Sequence, residues 1–238
     1  MAGRLEGQRV VVFGGSSGIG LATARLCHAE GAAVTLIGRD TAKLEAAAAG
    51  LAGSQWRVAD VRDQDAVARA LSSIDRIEHV LMSVGAGGVS NILTDDMPSL
   101  RQPFEERVFG TFAVVRAARP KMTDGSITLM SGMFASRIRP GASAQTAALC
   151  AVESLARTLA IDLAPIRVNA VAPGWIDTPR LTRAFGPEKP SRIAAIAQQL
   201  PGKSIGSPEQ VADAVLLLMT NRFMNGEILH IDGAGRHV

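Results

Sequence analysis

Arg9-Val10-Val11-Val12-Phe13-Gly14-Gly15-Ser16-Ser17-Gly18-Ile19-Gly20-Leu21-Ala22-Thr23-Ala24-Arg25-Leu26 is the stretch that decides the fold. A short β-branched run leads into a glycine turn, and the turn leads at once into residues of helical character. That order brings backbone N–H groups and a helix N-terminus to one point, which is what a pyrophosphate needs. In this reading Gly14 makes the turn tight, Gly18 lets the backbone approach the phosphates, and Gly20 allows the helix to pack closely. Ser16, Ser17 and Ile19 complete the loop.

Outward from it, apolar β-rich runs recur at Ala33 to Ile37, Gln55 to Val58, His79 to Ser83, Ser126 to Met130, Arg167 to Val171 and Glu227 to Ile231. With the first run they make seven strands alternating with six helical stretches. Strands that alternate with helices need crossovers, so the expectation is an α/β fold: a Rossmann-type, doubly wound, seven-stranded parallel sheet with helices on both faces. At 238 residues without a linker the chain reads as a single domain, 1–238. Val152, Leu155, Leu159 and Leu163 mark an apolar helix face, for core or for a subunit interface. Five prolines between Pro173 and Lys203 predict an irregular substrate loop or lid over about 174–203.

Composition excludes other classes. Apolar residues are 47% and charged residues 20% of the chain, a packed globular profile. The net charge of +3 is spread over scattered arginines with only 4% aromatics, so nucleic acid is not expected as a partner. No apolar run approaches the length of a membrane span, and Cys27 and Cys150 suggest neither a disulfide framework nor a metal site. A soluble, unexported, cytoplasmic protein is the expectation.

About twenty residues past the glycine loop the second strand ends in Gly38-Arg39-Asp40. A carboxylate at the strand end would bind the ribose 2′-hydroxyl of NAD, whereas a guanidinium binds the 2′-phosphate of NADP. Arg39 therefore favours NADP(H) over NAD(H). Asp40 is read as an N-cap of the helix containing Ala42 to Ala49, with rotation onto a ribose as its other option.

These motifs resemble the short-chain dehydrogenase/reductase family along nearly the whole chain. The G-x-x-x-G-x-G loop is that family's form. Asp60-Val61 looks like its adenine contact, Pro173-Gly174-Trp175-Ile176-Asp177-Thr178 like its nicotinamide-side motif, and Gly226 to Gly233 like its closing strand. The resemblance implies that Ile176 and Thr178 meet the carboxamide, and it implies a homodimer or homotetramer. It also implies a tyrosine acid with a lysine four residues later. The chain contains no tyrosine, and no lysine lies between Lys121 and Lys189. By this resemblance Gln145 stands at the tyrosine position and Leu149 at the lysine position, or Ala144 and Ala148 if the register shifts by one. The family's Asn-Ala-Gly is replaced by Ser83-Val84-Gly85-Ala86 and its helix asparagine by Arg107, and Ser131 alone remains of the catalytic set.

The expected activity is an NADP(H)-dependent oxidoreductase, transferring hydride to a carbonyl or from an alcohol, with water held by Ser131 and Gln145 as a nonstandard proton source. The alternative is an NADP(H)-binding sensor or assembly protein without turnover. Arg107, with Arg137 and Arg139, suggests an acidic or strongly polar carbonyl substrate, against the option that Arg137 and Arg139 face solvent and Arg107 is a surface or salt-bridged residue. Met130, Met133 and Trp175 are read as buried packing or pocket lining. Among histidines, His79 belongs at the far edge of the sheet and His28 on a surface, leaving His230 and His237 as remote substitutes for the acid.

Overall fold

The computed structural model describes residues 3–85 and 91–238. The first half runs β1 (Arg9–Phe13), α1 (Gly18–Ala29), β2 (Ala33–Gly38), α2 (Thr41–Ala49), β3 (Gln55–Val58), α3 (Gln64–Ser72) and β4 (His79–Met82). After it come α4 (Met97–Phe104), a π-helical turn (Glu105–Phe109), α5 (Gly110–Ala118), β5 (Ser126–Met130), α6 (Ser143–Asp162) and β6 (Arg167–Pro173). The chain ends with α7 (Pro179–Phe185), α8 (Lys189–Gln199), α9 (Pro208–Thr220) and β7 (Ile228–Ile231).

All seven strands are parallel, in the order β3-β2-β1-β4-β5-β6-β7. The order reverses between β1 and β4, and in such sheets the crevice at the carboxyl ends beside that switch point receives ligands. Alternate residues of each strand feed opposite faces. Val11, Phe13, Val80, Ile127 and Val168 pack with α3, α5 and α6 on one face; Val10, Val12, Leu36, Leu81 and Val171 pack with α1, α2 and α9 on the other. The doubly wound sheet expected from the sequence is therefore present. Among the described residues no helix is long and apolar enough to cross a membrane.

Two expectations need correction. Nine α-helices, not six, occur among the described residues, because two separate helices, α4 and α5, lead up to β5 and the segment after β6 folds. That segment, expected as an irregular loop over 174–203, holds α7, a 3-10 turn and α8. Three of its four prolines open elements instead of breaking them: Pro179, Pro187 and Pro190 sit in the first turns of α7, the 3-10 turn and α8, where a missing N–H costs nothing. Leu155, Leu159 and Leu163 lie partly buried against the core on the α3, α5 and α6 face of the sheet.

Candidate functional site

A cavity of about 570 Å3 opens at the carboxyl edge of the sheet, running from the ends of β2 and β3 across β1 and β4 to β5, β6 and the start of α6 and α7. Its residues are brought together by strand ends, so residues remote in sequence become neighbours.

The glycine turn is a backbone cradle. Gly14 has φ +78°, and a Cβ there would stand 2.2 Å from the Ser83 carbonyl. A Cβ on Gly20 would meet the Gly14 carbonyl at 2.2 Å; Gly20 packs behind the turn, outside the cavity lining, as its position in the motif predicts. Gly18 has φ +55° and faces Thr178 and Pro179, whose side chains border the loop from across the cavity. α1 starts at Gly18 with no side-chain cap on its free N–H groups and no acidic residue in its first turn. An anion fits there, since the helix end offers unpaired donors and positive potential. Gly14, Ser16, Ser17, Gly18 and Ile19 line the cavity, and the missing Cβ atoms leave room for a pyrophosphate.

At the end of β2, Arg39 and Lys43 line the same cavity with Ser16. Arg39 is more than half exposed and stands 3.9 Å from Asp60 and 3.8 Å from Glu106, distances too long for tight pairing, so its guanidinium stays available. Asp40 is the N-cap of α2: its carboxylate accepts from the Lys43 amide at 3.1 Å and pairs with the Lys43 ammonium at 2.6 Å, and the Lys43 contacts hold its pKa below the ordinary carboxylate value. Asp60 and Val61 line the wall, but the Asp60 carboxylate is gripped by Arg62 at 2.6 Å, and that hydrogen bond is the main cause of its lowered pKa. Ser83 and Gly85 also line the cavity, just beyond β4, which ends at Met82; Ala86 lies outside the described residues.

The other end is lined by Arg107, Ser131 and Gln145. Arg107 sits in the π-helical turn that follows Pro103; it is buried, 5% exposed, so it is not a surface residue, and among the described residues it forms no salt bridge. Its guanidinium donates to the carbonyls of Val84 (3.3 Å), Gly85 (3.3 Å) and Met130 (3.1 Å). Among the described residues its Nε has no partner. Gly85, with φ +120°, is bare because a Cβ there would strike that guanidinium at 2.4 Å. Burial, with the nearby Arg180 charge, lowers the Arg107 pKa to about 10, which still leaves it cationic at neutral pH.

Ser131 and Gln145 are buried and line the cavity, as do Leu149, Pro173, Gly174, Ile176 and Thr178. The Ser131 hydroxyl is turned into α6, where it donates to Glu153 Oε1 at 2.9 Å and lies 3.4 Å from the Leu149 carbonyl. Glu153 was not anticipated, although Gln145, Leu149 and Glu153 recur every four residues and so share one helix face. Gly174 is held bare by Asp232, whose Cα would be 2.7 Å from a Cβ.

Other expectations about this end change. Arg137 and Arg139 do not line the cavity; Arg139 is exposed and lies over the Phe134 ring at 5.7 Å. Besides Arg39 and Arg107, the arginines that line it are Arg180 and Arg183 on α7. Met130, Met133 and Trp175 are lining residues, and Trp175 packs edge-on to Phe134 with centroids 5.7 Å apart. His79 sits at the opposite edge, as its place at the start of β4 implied.

Comparison with known proteins agrees with this geometry. The pattern of the family described as "Enoyl-(Acyl carrier protein) reductase" matches residues 14–235. The chain is 33% identical over 248 residues to a galactitol 2-dehydrogenase (L-tagatose-forming) of Cereibacter sphaeroides, covering 97% of this chain and 95% of that one. Its fold matches L-sorbose reductase from Gluconobacter frateurii, solved with NADPH and L-sorbose, at TM-score 0.90 and 25% identity, over 98% of each chain. It also matches the NADPH-bound structure of a short-chain oxidoreductase from Pseudomonas aeruginosa PAO1 containing an atypical catalytic center, at TM-score 0.88 and 28% identity, over 95% of each chain. The parallel sheet, the glycine cradle and these relatives together identify the chain as a member of the short-chain dehydrogenase/reductase family of oxidoreductases.

Proposed function

We propose that this protein is an NADP(H)-dependent oxidoreductase that reduces a carbonyl, or oxidises the corresponding alcohol, without the tyrosine and lysine on which its family relies. The observation that carries the reading is the continuity of one cavity from the Arg39 end of the cradle to Gln145 and Ser131. The backbone of Gly14 to Gly20 holds the pyrophosphate, Asp60, Val61, Ser83 and Gly85 border the adenosine side, and Pro173, Gly174, Ile176 and Thr178 position the nicotinamide. Arg39, with Lys43 and Ser16 beside it, takes the 2′-phosphate, and a carboxylate in place of Arg39 would instead repel it. The bound cofactor supplies or accepts the hydride.

The chain's own residues handle the proton and the charge. Gln145 and Ser131 hold a water at the cavity floor, and partly exposed Glu153, which accepts the Ser131 hydroxyl, links that floor to solvent. Arg107, a buried cation in a site of low dielectric, stabilises negative charge on the substrate oxygen at long range. A missing general acid costs about 10² to 10⁴ in rate, while positioning alone retains much of the acceleration. Phe109 and Phe112, exposed and packed edge to face at 6.1 Å where the π-helical turn passes into α5, support assembly as a homo-oligomer.

NADPH oxidation followed at 340 nm with a carbonyl panel tests the reading. Wild type should turn over at least one class of carbonyl, and Ser131→Ala should lower kcat about tenfold. Cofactor binding without turnover across aldehydes, ketones, dicarbonyls and keto acids would sink the enzyme reading.

A further inference from the structure

The charge around the cavity is lopsided. Three carboxylates line it, and each has a cation nearby: Asp40 pairs with Lys43, Asp60 with Arg62, and Glu106 lies a looser 3.8 Å from Arg39 and accepts from Gln102 at 3.0 Å. At the other end stand Arg107, Arg180 and Arg183, with no further carboxylate in the lining. Arg107 spends its donors on backbone carbonyls. Among the described residues, neither Arg180 nor Arg183 has a carboxylate within ion-pair distance.

Arg180 and Arg183 are three residues apart on α7, so they share a face and point the same way. Arg180, exposed at the cavity mouth, is close enough to oppose the other two: desolvation and then the Arg183 charge lower its pKa, and Arg180 adds to the lowering at Arg107. A protein that gathers like charges without countercharge gains when an anion arrives. Beside them is an apolar wall, Trp175 edge-on to Phe134 and tilted against Phe185 at 6.3 Å. A cationic clamp next to an aromatic face suits a molecule with an apolar body and one anionic end.

We propose that Arg180 and Arg183 hold the carboxylate of a keto-acid substrate whose body lies against Trp175 and Phe134. The proposal deepens the reductase reading and rests on it. In the reaction the carbonyl carbon gains a hydride from the reduced cofactor and its oxygen gains a proton from water, leaving a hydroxy acid, the oxidised cofactor and hydroxide, which solvent neutralises. Because Pro179 lies against the glycine loop, the competing role for Arg180 is the cofactor's own pyrophosphate.

The experiment compares 2- to 5-keto acids of four to nine carbons with their methyl esters, using the full chain and saturating NADPH. The acids should exceed the esters in kcat/KM by about 10²-fold, the worth of a charge-assisted pair. Arg180→Met should collapse that ratio toward one, mainly through KM, with the NADPH Kd shifted less than twofold. Esters reduced as well as acids would overturn the proposal. So would an Arg180→Met protein that loses NADPH affinity while keeping the acid preference, since the arginine then serves the cofactor. In parallel, quenching of Trp fluorescence reads keto-acid binding to the NADP+-loaded protein. Acid binding without any reduction would fell the reductase reading and leave the clamp standing, and no acid binding would fell the clamp.

Discussion

At the amino edge of the sheet His79, at the start of β4, is bonded through one ring nitrogen to Ser126 at 2.8 Å and through the other to Gln8 at 2.7 Å. Arg167 donates to the carbonyls of Leu218 (2.7 Å), Met219 (2.7 Å) and Met224 (3.0 Å), closing the end of α9, and Glu78 is held by Arg76 and the Arg9 amide. At the carboxyl edge of the same strands the chain does the reverse. Glycines keep the backbone bare, α1 begins uncapped, and among the described residues Arg107 Nε has no partner and Arg180 and Arg183 face no carboxylate. The lesson is that polar groups at one edge are spent on each other and stabilise the fold. At the other edge several are left available, in the place where the proposed reading puts a ligand.

Substitutions at the two edges should therefore fail in different ways. The largest effect is expected for Gly20→Ala, which drives a methyl into the Gly14 carbonyl: NADPH affinity should fall more than about 10²-fold, read by fluorescence titration, because the cradle must shift. An unchanged Kd would break the claim that the glycine turn is the binding element.

Next comes the amino edge. Arg167→Met should cost about 3 kcal/mol in urea unfolding by orphaning three carbonyls, with the NADPH Kd unchanged. His79 adds a pH signature. Burial, reinforced by Arg167, pushes its pKa down to about 4 from 6.5. Below pH 6.5 the unfolded chain takes a proton that the folded chain refuses, so stability falls as the pH drops from about 6.5 to about 4, by up to about 3 kcal/mol. A His79→Gln protein should show a shallower acid slope in the same window; an identical slope would mean that other groups set it.

At the carboxyl edge, Gln145→Tyr with Leu149→Lys should raise kcat about 10- to 100-fold if only the proton donor is deficient. No gain, with both side chains in place and NADPH still bound, would place the deficit elsewhere. Smallest is Arg39→Ser, expected to weaken NADPH about tenfold while sparing NADH. Equal loss for both cofactors would assign Arg39 to the fold rather than to a phosphate.

The carboxyl edge was legible in sequence where function depends on backbone. Glycines and strand ends have fixed spacings, so Gly14, Gly18, Arg39, Asp60, Pro173, Gly174, Ile176 and Thr178 line one cavity, with Gly20 packed behind it. Side-chain destinations were less legible. Arg137 and Arg139 lie close to Ser131 in sequence but turn away, whereas Arg180 and Arg183 arrive from a segment read as a loop because of its prolines. Pro179 directly after Thr178, with arginines one and four residues later, was the available sign of a helix start. The Ser131 to Glu153 bond depends on how α6 lies against β5, which no local pattern encodes.

The most direct test of the account is transfer of label from NADPH deuterated at nicotinamide C4, each stereoisomer in turn, to the best carbonyl substrate, followed by mass spectrometry. One deuterium on the product's carbinol carbon from one isomer alone is the predicted result. Tight NADPH binding with no labelled product from either isomer would contradict it.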